Sequence, residues 1–167
     1  MKTLVLVRHA KSSWDDDSLS DFERPLNERG KKDAPEMAER LQKRGLKIDA
    51  FVSSPAERAF RTARYFAKAF DSKKGDIQED QSLYGATASQ FEQAVAGLKD
   101  KWDTVAIFSH NPGITEYANS LCNVHTDNIP TCGIFAVQAD IDNWGAFADA
   151  EKSFLFYDYP KNPLTAR

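Results

Sequence analysis

Four consecutive aliphatic residues, Leu4-Val5-Leu6-Val7, open the chain without a polar interruption. A strand with one wet face alternates apolar and polar residues, so an unbroken run predicts a strand covered on both faces. The pattern recurs. Asp49 to Ser53, with Phe51 and Val52 inside it, and Thr104-Val105-Ala106-Ile107-Phe108 read as two more strands. Ile134 to Val137 and Phe154 to Tyr157 are predicted as further ones. Between them apolar residues return at helical spacing. Ala34, Met37, Ala38 and Leu41 form one stripe, with Gly45 as its natural stop, and Ala56, Ala59, Phe60, Ala63, Ala67 and Phe70 form a second. Phe91, Ala94, Val95 and Leu98 form a third, and Ile114, Tyr117, Ala118 and Leu121 a fourth. This alternation predicts an α/β fold of three layers, a mainly parallel central sheet with helices on both faces. The 167 residues contain no repeat and no linker long enough to divide them, which predicts one domain over 1–167.

Acidic residues outnumber Lys and Arg by 25 to 22, so the basic excess of a nucleic-acid-binding surface is missing and no nucleic-acid partner is expected. Leu4 to Val7 is too short for a signal peptide or a membrane span, which predicts a cytoplasmic protein without a membrane partner. Cys122 and Cys132 form no CxxC pair, and neither precedes the Gly-rich Arg loop that a cysteine phosphatase needs. They read as two buried thiols in a reducing cytoplasm.

The unusual polar residues fall at strand ends. The first strand runs into Arg8-His9-Ala10, the second into Ser53-Ser54-Pro55 with Arg58 beyond, and the third into Ser109-His110-Asn111. In open parallel sheets ligands bind outside the carboxyl ends of the strands, so two His and two Arg are predicted to meet at one edge. Ser54-Pro55-Ala56-Glu57 reads as a capping box with Pro at the first helical position, placing Arg58 one turn in. Asn111-Pro112 reads as the same device after His110. Helix N-termini attract anions, so the predicted guest is a phosphoryl group. Each piece alone has a structural explanation, a cap, a core histidine or a surface arginine. The joint placement at three strand ends carries the reading.

These residues resemble a known family. Leu6-Val7-Arg8-His9-Ala10-Lys11-Ser12 is similar to the Arg-His-Gly signature of the histidine phosphatase superfamily, the phosphoglycerate-mutase-like group. Arg24-Pro25-Leu26-Asn27-Glu28-Arg29-Gly30 resembles the segment that follows. Ser53-Ser54-Pro55-Ala56-Glu57-Arg58-Ala59 with Thr62-Ala63 resembles the second block, and Ser109-His110-Asn111-Pro112-Gly113 the third. Within the group the chain looks most like the SixA-type phosphohistidine phosphatases. Two departures stand out. Ala10 replaces the usual Gly, and Ser82-Leu83-Tyr84-Gly85-Ala86 holds no acid where many relatives carry a proton-donating Glu.

The resemblance implies that His9 attacks phosphorus and becomes phosphorylated, that Arg8, Arg58 and His110 hold the phosphoryl oxygens, and that water then frees phosphate. Asn111 and Ser12 are weaker candidates for phosphate contacts. No cofactor is implied, and the sequence offers no carboxylate grouping suited to a metal. An imidazole leaving group needs less help from an acid than an alkoxide does, so the missing Glu favours protein phosphohistidine as substrate. Asp15, Asp17, Asp21, Glu79, Asp80 or Glu116 could still supply a proton. Residues 70–104 leave little room for a large lid, which suits a protein side chain better than a small metabolite. Trp14 could line the pocket mouth or serve packing. The alternatives are a phosphatase of phosphoserine or small phosphate esters using the same site, and a non-catalytic phosphate-binding module.

Overall fold

The computed structural model of the chain describes residues 1–73 and 76–163. Six strands, β1 (Lys2–Arg8), β2 (Ala50–Ser53), β3 (Ile77–Glu79), β4 (Thr104–Ser109), β5 (Ile134–Ala139) and β6 (Ser153–Asp158), form one sheet in the order β3-β2-β4-β1-β5-β6. The first four in space are mutually parallel, whereas β5 runs antiparallel to β1 and β6 antiparallel to β5. Four helices flank the sheet, α1 (Glu28–Lys43), α2 (Glu57–Ala69), α3 (Ala88–Ala96) and α4 (Gly113–Leu121). The three-layer α/β arrangement predicted from the alternation is the one observed.

The aliphatic run of β1 shows why both faces had to be covered. Leu4 and Leu6 point into one apolar cluster with Phe91 and Val95 of α3 and Ile114, Tyr117 and Ala118 of α4. Val5 and Val7 point the other way, into a cluster with Met37 and Leu41 of α1 and Ala63 and Phe66 of α2. Each fully buried aliphatic side chain contributes about 1.5–3 kcal/mol of transfer free energy, so neither face of β1 could be left wet. α1 stops where its sequence says it should, with Gly45 at φ +81° just beyond the last turn.

Three differences from the sequence reading have plain causes. β3 went unread because Ile77 is its one buried residue. Asp49 lies outside β2, its carboxylate accepting from the backbone N–H groups of Asp103 and Thr104 at 2.9 and 3.0 Å. Of the two cysteines, both free thiols, Cys132 is buried but Cys122 only partly so. No helix among the described residues is long and apolar enough to cross a membrane.

The register places the predicted site residues on one edge. Val7 is paired with Phe108 and Arg8 with Ser109, while Ser53 on the other side of β4 is also paired with Phe108. The next residues in each strand, His9, Ser54 and His110, therefore leave the sheet side by side.

Candidate active site

The floor of the site is built by those three strand ends. The backbone N–H of His9 donates to the Ser109 carbonyl at 3.0 Å, and Cys132 N–H donates to the carbonyls of both Arg8 and His9 at 3.0 Å. Ala10 N–H donates to Thr62 Oγ1 at 2.9 Å, and that hydroxyl donates to the Arg58 carbonyl at 2.8 Å. The end of β1 is thereby tied to β4, to the start of β5 and to the first turn of α2. The Ala10 methyl is buried in the cluster that holds Val7 and Leu26, and its φ is not positive, so a Gly is not required there.

His9 Nδ1 lies 2.7 Å from the Ala10 carbonyl oxygen. A carbonyl can only accept, so Nδ1 carries the proton and the lone pair sits on Nε2. Burial pushes the His9 imidazole down to about 3, and the charges of Arg58 and Arg8 push the same way against the bond to Ala10. His9 is therefore neutral at physiological pH. His110 stands beside it, ring centroids 5.2 Å apart, with Nε2 2.7 Å from Ser54 Oγ. Burial, assisted by Arg58 and opposed by Asp21, lowers His110 to about 4.

Arg8 donates from Nη1 to the Ile129 carbonyl at 2.9 Å, and burial together with Arg58 holds it below its ordinary value. Among the described residues only two buried side-chain polar atoms lack a partner, Arg8 Nε and His110 Nδ1. A buried polar atom left without a partner costs about 1–3 kcal/mol, and both such atoms belong to this one site. Oxygens of a phosphoryl group are the natural complement to a guanidinium N–H in this setting.

A cover from residues 12–24 crosses the Arg58 side. Arg58, buried in the first turn of α2, donates from Nη1 to the Asp21 carbonyl at 2.6 Å and from Nη2 to Asp21 Oδ2 at 3.0 Å. Tyr84 donates its hydroxyl to the same Oδ2 at 2.7 Å, and Arg24 Nη1 to Oδ1 at 2.9 Å. The Tyr84 hydrogen bond, with those from Arg58 and Arg24, holds the Asp21 carboxyl down at about 2. Asp21 is thus an anion, an acceptor and not a proton donor. Two glycines fix the flanks. A Cβ on Gly30 would meet the Lys11 carbonyl oxygen at 2.2 Å, and one on Gly113 would meet the Ala86 carbonyl oxygen at 1.8 Å.

Of the sequence-predicted residues, Arg8, His9, Arg58 and His110 come together. Ser12 is buried and its Oγ accepts from Arg24 Nη2, which places it on the cover beside Arg24. Asn111 is occupied as a brace, accepting from Thr115 Oγ1 at 2.6 Å and donating to the Ile129 carbonyl at 3.1 Å. The predicted capping boxes are corrected. α2 begins at Glu57 with Ala56 as its cap, α4 begins at Gly113 with Pro112 as its cap, and neither has a side-chain cap. Ser54 Oγ lies 2.7 Å from His110 Nε2 and accepts from the Ala56 N–H at 3.3 Å, and Arg58 is the second residue of its helix. Trp14 is 74% exposed and stacks on Arg24, whose guanidinium carbon lies 3.2 Å from the ring centroid. Of the candidate acids, only Asp21 bonds Arg58 and Arg24 among the described residues; Asp15 and Asp17 are exposed, and Asp80 accepts from Ser82. Tyr84, Thr62 and the pairing of Arg24 with Asp21 were missed, although Tyr84 stands in the very stretch that lacks the acid. Among the described residues no group of three or more His, Cys, Asp or Glu side chains could hold a metal ion.

A family model described as the histidine phosphatase superfamily (branch 1) matches residues 4–113. An uncharacterized chloroplastic protein of Arabidopsis thaliana is 30% identical over 151 residues, 86% of this chain and 69% of that one. A 2,3-bisphosphoglycerate-dependent phosphoglycerate mutase of Dichelobacter nodosus is 33% identical over 137 residues, 72% of this chain but only 52% of its own length. Among solved structures, the protein histidine phosphatase SixA complexed with tungstate has a like fold, with a TM-score of 0.78 at 20% identity over 95% of this chain and 97% of that one. With the arginines and histidines of the matched blocks gathered at one sheet edge, this chain is an enzyme of the histidine phosphatase superfamily.

Proposed function

We propose that the protein removes phosphoryl groups from protein phosphohistidine through a phosphorylated His9. The observation that carries this reading is the fixed His9 tautomer, with Nδ1 committed to Ala10 and a neutral ring whose Nε2 has no hydrogen bond among the described residues. In the first step the substrate ring carries a proton from solvent on its free nitrogen, Nε2 attacks phosphorus, the bond from phosphorus to the substrate nitrogen breaks, and the imidazole departs neutral with that electron pair. In the second step water attacks the phosphoenzyme, inorganic phosphate leaves, and Nε2 recovers its lone pair. Arg8 and Arg58 supply the positive charge that the transferring oxygens need, so no metal ion is invoked. His110, which burial keeps neutral, gains a proton when a phosphoryl dianion sits beside it and adds a further charge-assisted hydrogen bond.

The absence of a protonated acid favours an imidazole over an alkoxide as leaving group. Asp21, the carboxyl at hand, is held as an anion. The similarity to phosphoglycerate mutases favours a second reading, a small phosphate ester in the same pocket. Initial rates on a phosphohistidine peptide, a phosphoserine peptide and an aryl phosphate, with a metal chelator present and His9→Ala as blank, decide the matter. The expected order puts phosphohistidine first and leaves the variant inactive. Preference for phosphoserine removes the substrate assignment, and a fully active His9→Ala removes the mechanism.

A further inference from the structure

Among the described residues the exposed large hydrophobic side chains are Met1, Trp14, Phe22, Tyr84 and Phe154, and three of these five stand around one opening. Tyr84 packs edge-on against His110 at 5.6 Å and against Phe22 at 5.2 Å, so Phe22 and Tyr84 continue the wall of the pocket outward. Trp14 joins them through Arg24, which it covers and which bonds Asp21 beneath. Exposed aromatic rings at the mouth of a polar pocket are the residue types that anchor protein interfaces. A small, highly charged metabolite has nothing to offer them.

The same segment fixes the charge of what can approach. Residues 13–23 carry five carboxylates and no Lys or Arg. Asp21 is spent on Arg58 and Arg24, but Asp15, Asp16 and Asp17 are exposed and make no ion pair among the described residues. They follow Trp14 directly in the chain. The opening therefore has a cationic floor, where His110 Nδ1 and Arg8 Nε lie buried and unpartnered, and an acidic aromatic rim. A free polyanion is attracted by the floor and repelled by the rim. A phosphoryl group standing among basic and apolar side chains satisfies both.

Resting on the phosphohistidine reading above, we propose that Trp14, Phe22, Tyr84 and the Asp15-Asp16-Asp17 run form a docking rim for a phosphoprotein, selecting a phosphorylated side chain flanked by Lys or Arg on the partner's surface. The rim discriminates by steering and contact, leaving the chemistry to the floor.

The test uses the full chain and two phosphohistidine peptides of one length, one with Lys at the flanking positions and one with Glu, together with acetyl phosphate. The Lys-flanked peptide is expected to show a kcat/KM about tenfold higher at low salt, a preference that falls as salt screens the rim. Neutralising the run in Asp15→Asn/Asp16→Asn/Asp17→Asn should erase most of that ratio, and Trp14→Ala should lower both peptides about fivefold. Trp14→Ala should leave acetyl phosphate turnover unchanged, and the triple variant should leave its kcat unchanged while lowering its KM as the repulsion is relieved, which also reports that both fold. Equal rates on the two peptides, or a ratio untouched by the triple variant, overturns the rim. The same pair carrying phosphoserine separates the two claims. If only phosphoserine peptides are hydrolysed and the Lys preference persists, the phosphohistidine reading fails and the rim stands as the binder of a different phosphoprotein.

Discussion

The two sides of the pocket are held by opposite kinds of structure. The floor is made of strand ends whose backbone bonds run into the sheet, with Arg8, His9, Ser54 and His110 placed by the register of β1, β2 and β4. The cover is a loop outside the sheet, closed at its base by Ser13 N–H to the Pro25 carbonyl at 2.8 Å and joined to the site by side chains, its Asp21 gripping Arg58, Tyr84 and Arg24. The floor is nearly dry and its imidazoles are forced neutral by burial. The cover is half wet and its carboxylate is forced anionic by donors. Geometry that must not move is assigned to the sheet, and contacts that must open for a substrate are assigned to ion pairs in water, where each contributes little.

Matched Arg→Lys substitutions give the widest separation between the two. On the floor, Arg8→Lys replaces a fork that spans the Ile129 carbonyl and an unpartnered Nε by a single point charge, and kcat/KM should fall about 100- to 1,000-fold. On the cover, Arg24→Lys keeps a cation beside Asp21 and should cost about threefold at most. Steady-state rates on one phosphohistidine peptide measure both. Comparable losses would mean that the cover is as fixed as the floor.

The same division explains what the sequence disclosed. β1, β2 and β4 announce themselves through apolar runs, and a parallel sheet brings their carboxyl ends together whatever the loops do, so the convergence of Arg8, His9, Arg58 and His110 followed from local pattern and one topological rule. The cover obeys no such rule. Asp21 meets Arg58 across 37 residues and Tyr84 across 63, and no periodicity encodes those distances. Ser54 was misread for a related reason. Its position before Pro55 and Glu57 imitates a capping box, but the neighbouring strand delivers His110 within 2.7 Å and the hydroxyl goes there instead. The antiparallel turn of β5 was equally hidden, since an apolar run states that a strand is covered and not which way it runs.

Acid stability should divide along the same line. Unfolded, each imidazole takes up a proton near 6.5, whereas folded His9 and His110 wait until about 3 and about 4. The unfolded chain binds more protons between those limits. The contribution is therefore complete above 6.5 and is lost as pH falls, by about 2 kcal/mol per histidine at pH 5. Urea unfolding at pH 7 and pH 5 should show this drop, and His110→Gln should reduce it by about half. Asp21, depressed to about 2, contributes above its unfolded value near 3.8 and titrates only below it. Asp21→Asn should leave the pH 7-to-5 difference unchanged.

Removing the hydroxyl in Ser54→Ala takes away its bond to His110 and a longer one, at 3.3 Å, from the Ala56 backbone N–H. His110 keeps its burial and its place beside His9 but loses the partner on Nε2, and is free to rotate. A hydrogen bond of this kind is worth about 1–1.5 kcal/mol, so kcat/KM should fall about tenfold. A pH–rate profile that moves with it identifies the hydroxyl as a positioning group, whereas a loss of stability with an unmoved profile would reduce it to packing.

The smallest effect bears on how the cover opens. The two terminal nitrogens of Arg58 are given to Asp21, one to its carbonyl and one to its carboxylate. A phosphoryl group must share or displace that carboxylate, and the repulsion between them weakens binding while the ion pair keeps Arg58 in position. Asp21→Asn retains a hydrogen-bonding oxygen for Tyr84 and Arg58 but removes the competing charge. Inorganic phosphate should then inhibit about three- to fivefold more tightly, with kcat on phosphohistidine nearly unchanged. Should kcat on a phosphoserine peptide instead fall about 100-fold in the same variant, the phosphate dianion must be raising Asp21 into a working acid, and the cover would belong to the chemistry as much as the floor does.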